Sequence, residues 1–135
     1  MSILALFLIA IILMNFLNEY KTKYLIKDFL YIDHLGEEIH KIGILNESTS
    51  KITNINKDNP LFQSLIDSLE ELKVKRSSSQ FSYNGGYTFI IYHNNNSYHI
   101  SVNENGILQI DGERYKVQED EAIKDLIALI KEAFR

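Results

Sequence analysis

The spacing of apolar residues changes character repeatedly along this chain. Residues 1–17, MSILALFLIAIILMNFL, are apolar almost without interruption and carry no charged side chain. Over 60–73 and again over 119–135 the apolar positions recur at helical spacing, whereas from Tyr83 onward they alternate with polar ones. An unbroken run predicts an element surrounded by hydrocarbon. A 3.6-residue period predicts a helix with one wet face, and a period of two a half-buried strand.

The first helical stretch has Asn59 placed as its cap and Pro60 at the first helical position, where a missing amide donor costs nothing. Leu61, Leu65, Leu69 and Leu72, flanked by Phe62 and Ile66, form a buried stripe and leave Glu70, Glu71 and Lys73 in water. Lys73, Lys75 and Arg76 are expected near its C-terminus, where the macrodipole favours cations. The last helix places Glu119, Asp120 and Glu121 at its positive start and Lys131 and Arg135 at its negative end. Its buried stripe is Ile123, Leu126, Ile127, Ile130 and Phe134.

Strands are predicted over 38–45 and, more briefly, over 51–55. Residues 87–93 and 97–103 form a hairpin with a two-residue turn at Asn95 and Asn96, a register that sets Ile100 opposite Ile91 and Val102 opposite Phe89. A second hairpin over 107–117 turns at Asp111 and Gly112, the strongest short-range hairpin signal, and pairs Leu108 with Tyr115. Residues 18–36 read two ways. Tyr20, Tyr24, Leu25, Ile26, Phe29 and Leu30 make an apolar face if the first helix continues, while Tyr24, Ile26, Leu30 and Ile32 alternate as short strands ending at Gly36. The expected architecture is α+β: an N-terminal transmembrane helix, then an antiparallel β-meander of four or five strands with two amphipathic helices packed on one face. Residues 1–19 are the anchor, 20–37 a juxtamembrane segment and 38–135 the domain.

At about 1.5 Å per residue the 1–17 run makes a helix of roughly 26 Å, slightly short of a ~30 Å bilayer core. A cleaved signal peptide is disfavoured because no basic side chain precedes the run and no small-residue site ends it. A lipoprotein signal would need a cysteine, and the chain has none. Lys21, Lys23 and Lys27 follow the run, so the positive-inside rule favours a C-terminal domain in the cytoplasm of a single-pass membrane protein.

Charge and composition narrow the function further. A net charge of −4 on 135 residues lacks the basic field of a nucleic-acid binder, so no nucleic-acid partner is expected. Zero cysteines exclude disulfides and thiolate-ligated zinc. His34, His40, His93 and His99 invite a metal hypothesis, but the hairpin register points His93 and His99 to opposite faces, so no metal site is expected. Asp33 and His34 with Glu37 and Glu38 could supply acid and base groups, yet no HExxH pattern or nucleophile motif accompanies them. Gly85-Gly86 lacks the lysine and following helix of a phosphate loop and reads as a turn. No catalytic, cofactor or metal residues are therefore assigned.

From Ile39 onward, the run of KIGIL, NPLFQSLIDSLEELK, YTFIIY, YHISVNENGILQI, YKV and the closing helix resembles small membrane-tethered domains of unknown function in Gram-positive bacteria. KTKYLIKDFLYIDHLG after the apolar run resembles bacterial pleckstrin-like membrane proteins. Neither resemblance carries active-site residues. The expected function is a non-enzymatic, membrane-anchored binding or regulatory module of the immunity or exclusion kind, with the lipid bilayer and a membrane protein as partners and no cofactor. A structural subunit of a membrane complex is the alternative, followed by a small tethered enzyme.

Overall fold

The computed structural model describes residues 2–135. Helix α1 (Ile3–Glu19) opens with Ser2, whose hydroxyl accepts from the Ala5 amide at 3.2 Å and satisfies one of the otherwise unpaired donors of the first turn. Beyond it, the described residues form an antiparallel eight-stranded sheet. Its strands are β1 (Lys23–Tyr24), β2 (Lys41–Asn46), β3 (Lys51–Asn56), β4 (Lys73–Arg76), β5 (Tyr87–His93), β6 (Asn96–Val102), β7 (Ile107–Ile110) and β8 (Glu113–Val117). Their order across the sheet is β1-β4-β8-β7-β6-β5-β2-β3.

Helices α3 (Leu61–Glu71) and α4 (Asp120–Ala133) pack side by side over one face of this sheet. Phe62, Leu65, Ile66 and Leu69 of α3 and Ile123, Leu126, Ile127 and Ile130 of α4 join Ile42, Ile44, Phe89, Ile91, Ile100, Val102 and Leu108 in a single core. β2, β5, β6 and β7 contribute alternate residues to that core, as the pleat requires, and β3, β4 and β8 add Ile55, Val74 and Val117. The α+β two-layer arrangement is thus as expected. Asn59 caps α3 through its Oδ1, which accepts from the Leu61 amide at 2.9 Å.

Residues 20–38 follow neither of the two expected patterns alone. After the two residues of β1 comes a π-helical turn (Leu25–Leu30), then a single turn of α-helix, α2 (Leu35–Glu38). The Asp28 carboxylate accepts from the Tyr24 amide at 2.7 Å and closes the wide turn from within. Leu25, Ile26, Leu30, Ile32, Leu35 and Ile39 are all buried, so the core reaches back into this segment.

The sheet is wider than the four or five strands expected, and the main reason lies after α3. Lys73, Lys75 and Arg76 do not sit at a helix end: α3 stops at Glu71, Leu72 turns to extended backbone, and the KVKR that follows is β4. Val74 is fully buried between exposed or half-buried cations, a period-two pattern too short to register beside a strong helix. Glu70 is half-buried rather than fully in water, while Glu71 is exposed.

The β5–β6 turn also differs. Asn94 and Asn95, not Asn95 and Asn96, take positive φ, at 47° and 64°. Phe89 therefore pairs with Ile100 and Ile91 with Tyr98. The register moves by two residues, which leaves every side chain on its expected face because the pleat repeats every two. Apolar patterning constrains the face and is blind to this kind of slip. The β7–β8 hairpin is as expected: Leu108 pairs with Tyr115, and Asp111 and Gly112 have φ of 50° and 79°.

Residues 77–86 carry the chain from β4 to β5 past three intervening strands. They do so on the face away from the helices, where the Gln109 amide donates to the Tyr83 hydroxyl at 3.0 Å and Phe81 meets Tyr83 edge-on at 4.8 Å.

The spanning anchor expected over 1–19 falls short in length. Helix α1 has 17 residues, and no helix among the described residues is long and apolar enough to cross a membrane.

Candidate functional site

The chemistry of this molecule gathers where α1 meets the sheet. Apolar side chains cover α1 on all sides, and the domain shields none of them: Ile3 is 86% exposed, Ile12 66% and Leu17 66%. No residue of α1 belongs to the core. At its C-terminal end the Phe16 and Tyr20 rings lie 4.8 Å apart, and Tyr20 borders a cleft of about 420 Å³ whose other walls are Arg76, Ser77, Ser78, Gly112, Glu113 and Arg114. Arg76 pairs with Glu113 in the wall of this cleft.

Alternation along β4 and β8 dictates what the adjoining sheet surface presents. Val74 and Val117 face the core, so Lys73 and Lys75 on β4, and Arg114 and Lys116 on β8, point to the opposite face. Lys75 stands directly opposite Lys116. Neither makes an ion pair among the described residues, whereas Lys73 lies 5.5 Å from the Tyr24 ring centroid and Lys23, on the other face, 5.6 Å from that of Phe29. No acidic side chain occupies that face on β1, β4 or β8. Lys21 and Lys27 are exposed nearby on the same connecting segment.

A smaller cavity of about 260 Å³ flanks the π-helical turn, lined by Tyr24, Ile26, Lys27, Ile32, Asp33 and Glu70. Tyr31 closes the turn in the left-handed region at φ 56° and is 84% exposed, an unusual state for a bulky residue. One cation, Lys27, and two carboxylates, Asp33 and Glu70, rim this cavity beside Tyr24.

The histidines are scattered. His93 Nε2 lies 3.1 Å from Glu38 Oε1, and the other oxygen of that carboxylate accepts from the His34 amide at 3.2 Å. The His93 hydrogen bond, followed by the His34 amide, holds the Glu38 carboxyl below the usual carboxylate range. His40 and His99 are exposed, and His99 opposes Ile90 on the face away from His93. Of the acid–base candidates, Glu38 thus braces β5 against α2, while Asp33 lies apart beside Lys27 and Glu70 and Glu37 is exposed. No group of three or more His, Asp or Glu side chains among the described residues is placed to hold a metal ion. Gly85 and Gly86 form a turn: Gly85 has φ 76°, and a Cβ on Gly86 would come within 3.2 Å of the Tyr83 carbonyl.

Arg114 and Lys116 did not stand out in the sequence. The signal was there in ERYKV, where a cation on every second position of a strand ending in Val117 puts both on one face. Their partnership with Lys75 depends on the β4–β8 pairing, which no local pattern announces. Compared with protein-family profiles, characterised proteins and solved structures, the chain matches none.

Proposed function

We propose that this chain is a membrane-tethered binding module, held at a bilayer by α1 and presenting its α+β domain on the cytoplasmic side. The observation that carries the reading is the apolar surface of α1, exposed all round with nothing in the domain to cover it. Such a surface is costly in water, at about 25 cal/mol per Å² of apolar area. An in-plane orientation suits a helix with one polar face, and α1 has none. Its 17 residues reach roughly 26 Å, and a bilayer meets a short helix by thinning locally while flanking lysines extend toward the headgroups. Lys21, Lys23 and Lys27 favour the cytoplasmic side. Tethering concentrates a small domain near membrane partners and strengthens weak contacts by raising effective concentration.

The test is extraction of membranes at alkaline pH, which should leave the full chain in the pellet with its native N-terminus intact by mass spectrometry. Alkaline phosphatase fused after Arg135 should be inactive and a fluorescent protein there bright. Recovery of the chain in the extract refutes the tether, and the opposite fusion results refute the orientation.

A further inference from the structure

We propose that the cationic face of β4 and β8, with the cleft beside Tyr20, is a docking surface for anionic phospholipid headgroups, so that the domain lies down on the bilayer instead of hanging free from α1. This rests on the tether proposed above and adds a second, electrostatic contact to it.

Lys75 and Lys116 are the first reason. Like charges directly opposite on neighbouring strands destabilise a sheet, and here no acidic side chain on the same face of β1, β4 or β8 relieves the pair. Anions supplied from outside the chain would. Continuity is the second. The cleft joins Tyr20, the residue that ends α1, to Arg114 of the cationic face and to the Arg76–Glu113 pair on the other side of the same strands, so the cationic face begins beside the point where the apolar helix stops. Once α1 enters hydrocarbon, this edge of the sheet is the part of the domain brought to headgroup depth. Tyr20 and Tyr24, both partly exposed, occupy that level, where amphipathic rings concentrate.

The chemistry on offer also matches phosphodiesters. Arg114 presents a planar fork of donors suited to phosphate oxygens, and Lys75 and Lys116 act as point charges beside it. Each basic residue near an anionic leaflet contributes about 1 kcal/mol, a factor of roughly five in partitioning. The net charge of −4 does not oppose this: Glu113, the acidic residue in the cleft wall, is paired with Arg76, and many other carboxylates lie on the helices. The α3 face carries Asp67 and Glu71, and α4 carries Asp120, Glu121 and Asp125.

Full-length protein is mixed with neutral phosphatidylcholine vesicles and with vesicles containing phosphatidylglycerol, and bound protein is separated by flotation at low and high salt. Expected are binding to both, a preference of tenfold or more for the anionic vesicles at low salt, and loss of that preference at high salt. The variant Lys75→Gln/Arg114→Gln/Lys116→Gln should keep neutral-vesicle binding and lose the preference, with a thermal midpoint no lower than the parent's. Equal binding of the parent to both vesicles overturns the docking surface and leaves the tether intact. Binding to neither overturns both. A preference that survives the triple variant assigns the charge effect elsewhere and also overturns the proposal. So does polyanionic RNA that outcompetes the anionic vesicles for the parent.

Discussion

Helices α1 and α4 are of similar length and end in different worlds. In α4, Ile123, Leu126, Ile127 and Ile130 make one stripe that disappears into the core, and the charged residues Lys124, Asp125 and Lys131 lie on the wet side. In α1 the apolar residues surround the axis, and no single face could bury them against a domain of this size. The contrast separates two uses of hydrophobicity. One holds the protein to itself; the other is left uncovered by the domain.

The sharpest way to break the comparison is to place the same charge on both helices. Leu126→Asp buries an unpaired carboxylate at a position with no exposure and should cost about 3 to 5 kcal/mol. That is enough to unfold most small domains, whose whole stability is about 5 to 15 kcal/mol. Ile11→Asp at the middle of α1 should leave the stability of the domain within about 0.5 kcal/mol of the parent's, yet weaken membrane retention by about 2.5 to 3.5 kcal/mol. Glu71→Lys serves as the control that changes neither. If Ile11→Asp melts the domain as Leu126→Asp does, α1 belongs to the core.

A smaller effect compares the two hairpin turns. Gly112→Val forces a β-branched residue to φ 79° and should destabilise by about 1 to 3 kcal/mol in denaturant melts. Asn95→Gly should be neutral or slightly stabilising, since φ 64° suits glycine better than asparagine. The Cβ at residue 112 would meet open space, so any loss there is backbone strain and not crowding.

The smallest effect expected is one of pH. The Glu38 carboxyl is held below its ordinary value in the folded protein by His93 and the His34 amide. A depressed carboxyl stabilises the fold above its unfolded pKa, and that stabilisation fades as pH falls from the ordinary value of 4.5 through the folded one. A slightly steeper acid limb in the parent than in His93→Gln, measured by thermal melts between pH 3 and 6, is the expected outcome. Parallel curves would mean that the His93 contact contributes nothing.

Much of this architecture was legible in the chain because the signals were redundant. The β7–β8 hairpin carried both the Asp111-Gly112 turn and an alternating pattern, and α3 carried a cap, a proline and a full stripe. Where only one signal was present, reading went astray. The β5–β6 register rested on choosing two asparagines among three, since apolar alternation tolerates any even shift. β4 has four residues, β1 has two, and both form because distant partners complete their ladders. The π-helical turn had no pattern of its own, because its wide backbone is fixed by Asp28 reaching back to Tyr24 and by Leu25, Ile26 and Leu30 finding the core. The cationic face inherits this invisibility. Its residues are ordinary surface lysines until β4 meets β8.

That same meeting has a consequence for the order of assembly. β4 leaves the ribosome before β5, yet its neighbour β8 is made only after the whole β5–β7 meander, and β1, older still, pairs only with β4. β2 and β3 can pair with each other as soon as both are made, but β4 must wait for β8, since non-local pairing cannot form until its loop closes. Residues 77–86 pass over the meander in the meantime and lie across a surface that is built beneath them. Val74→Ala should then speed unfolding far more than it slows refolding, as expected of contacts made after the rate-limiting barrier. β4, and β1 with it, are thus joined to the rest of the sheet only when β8 arrives.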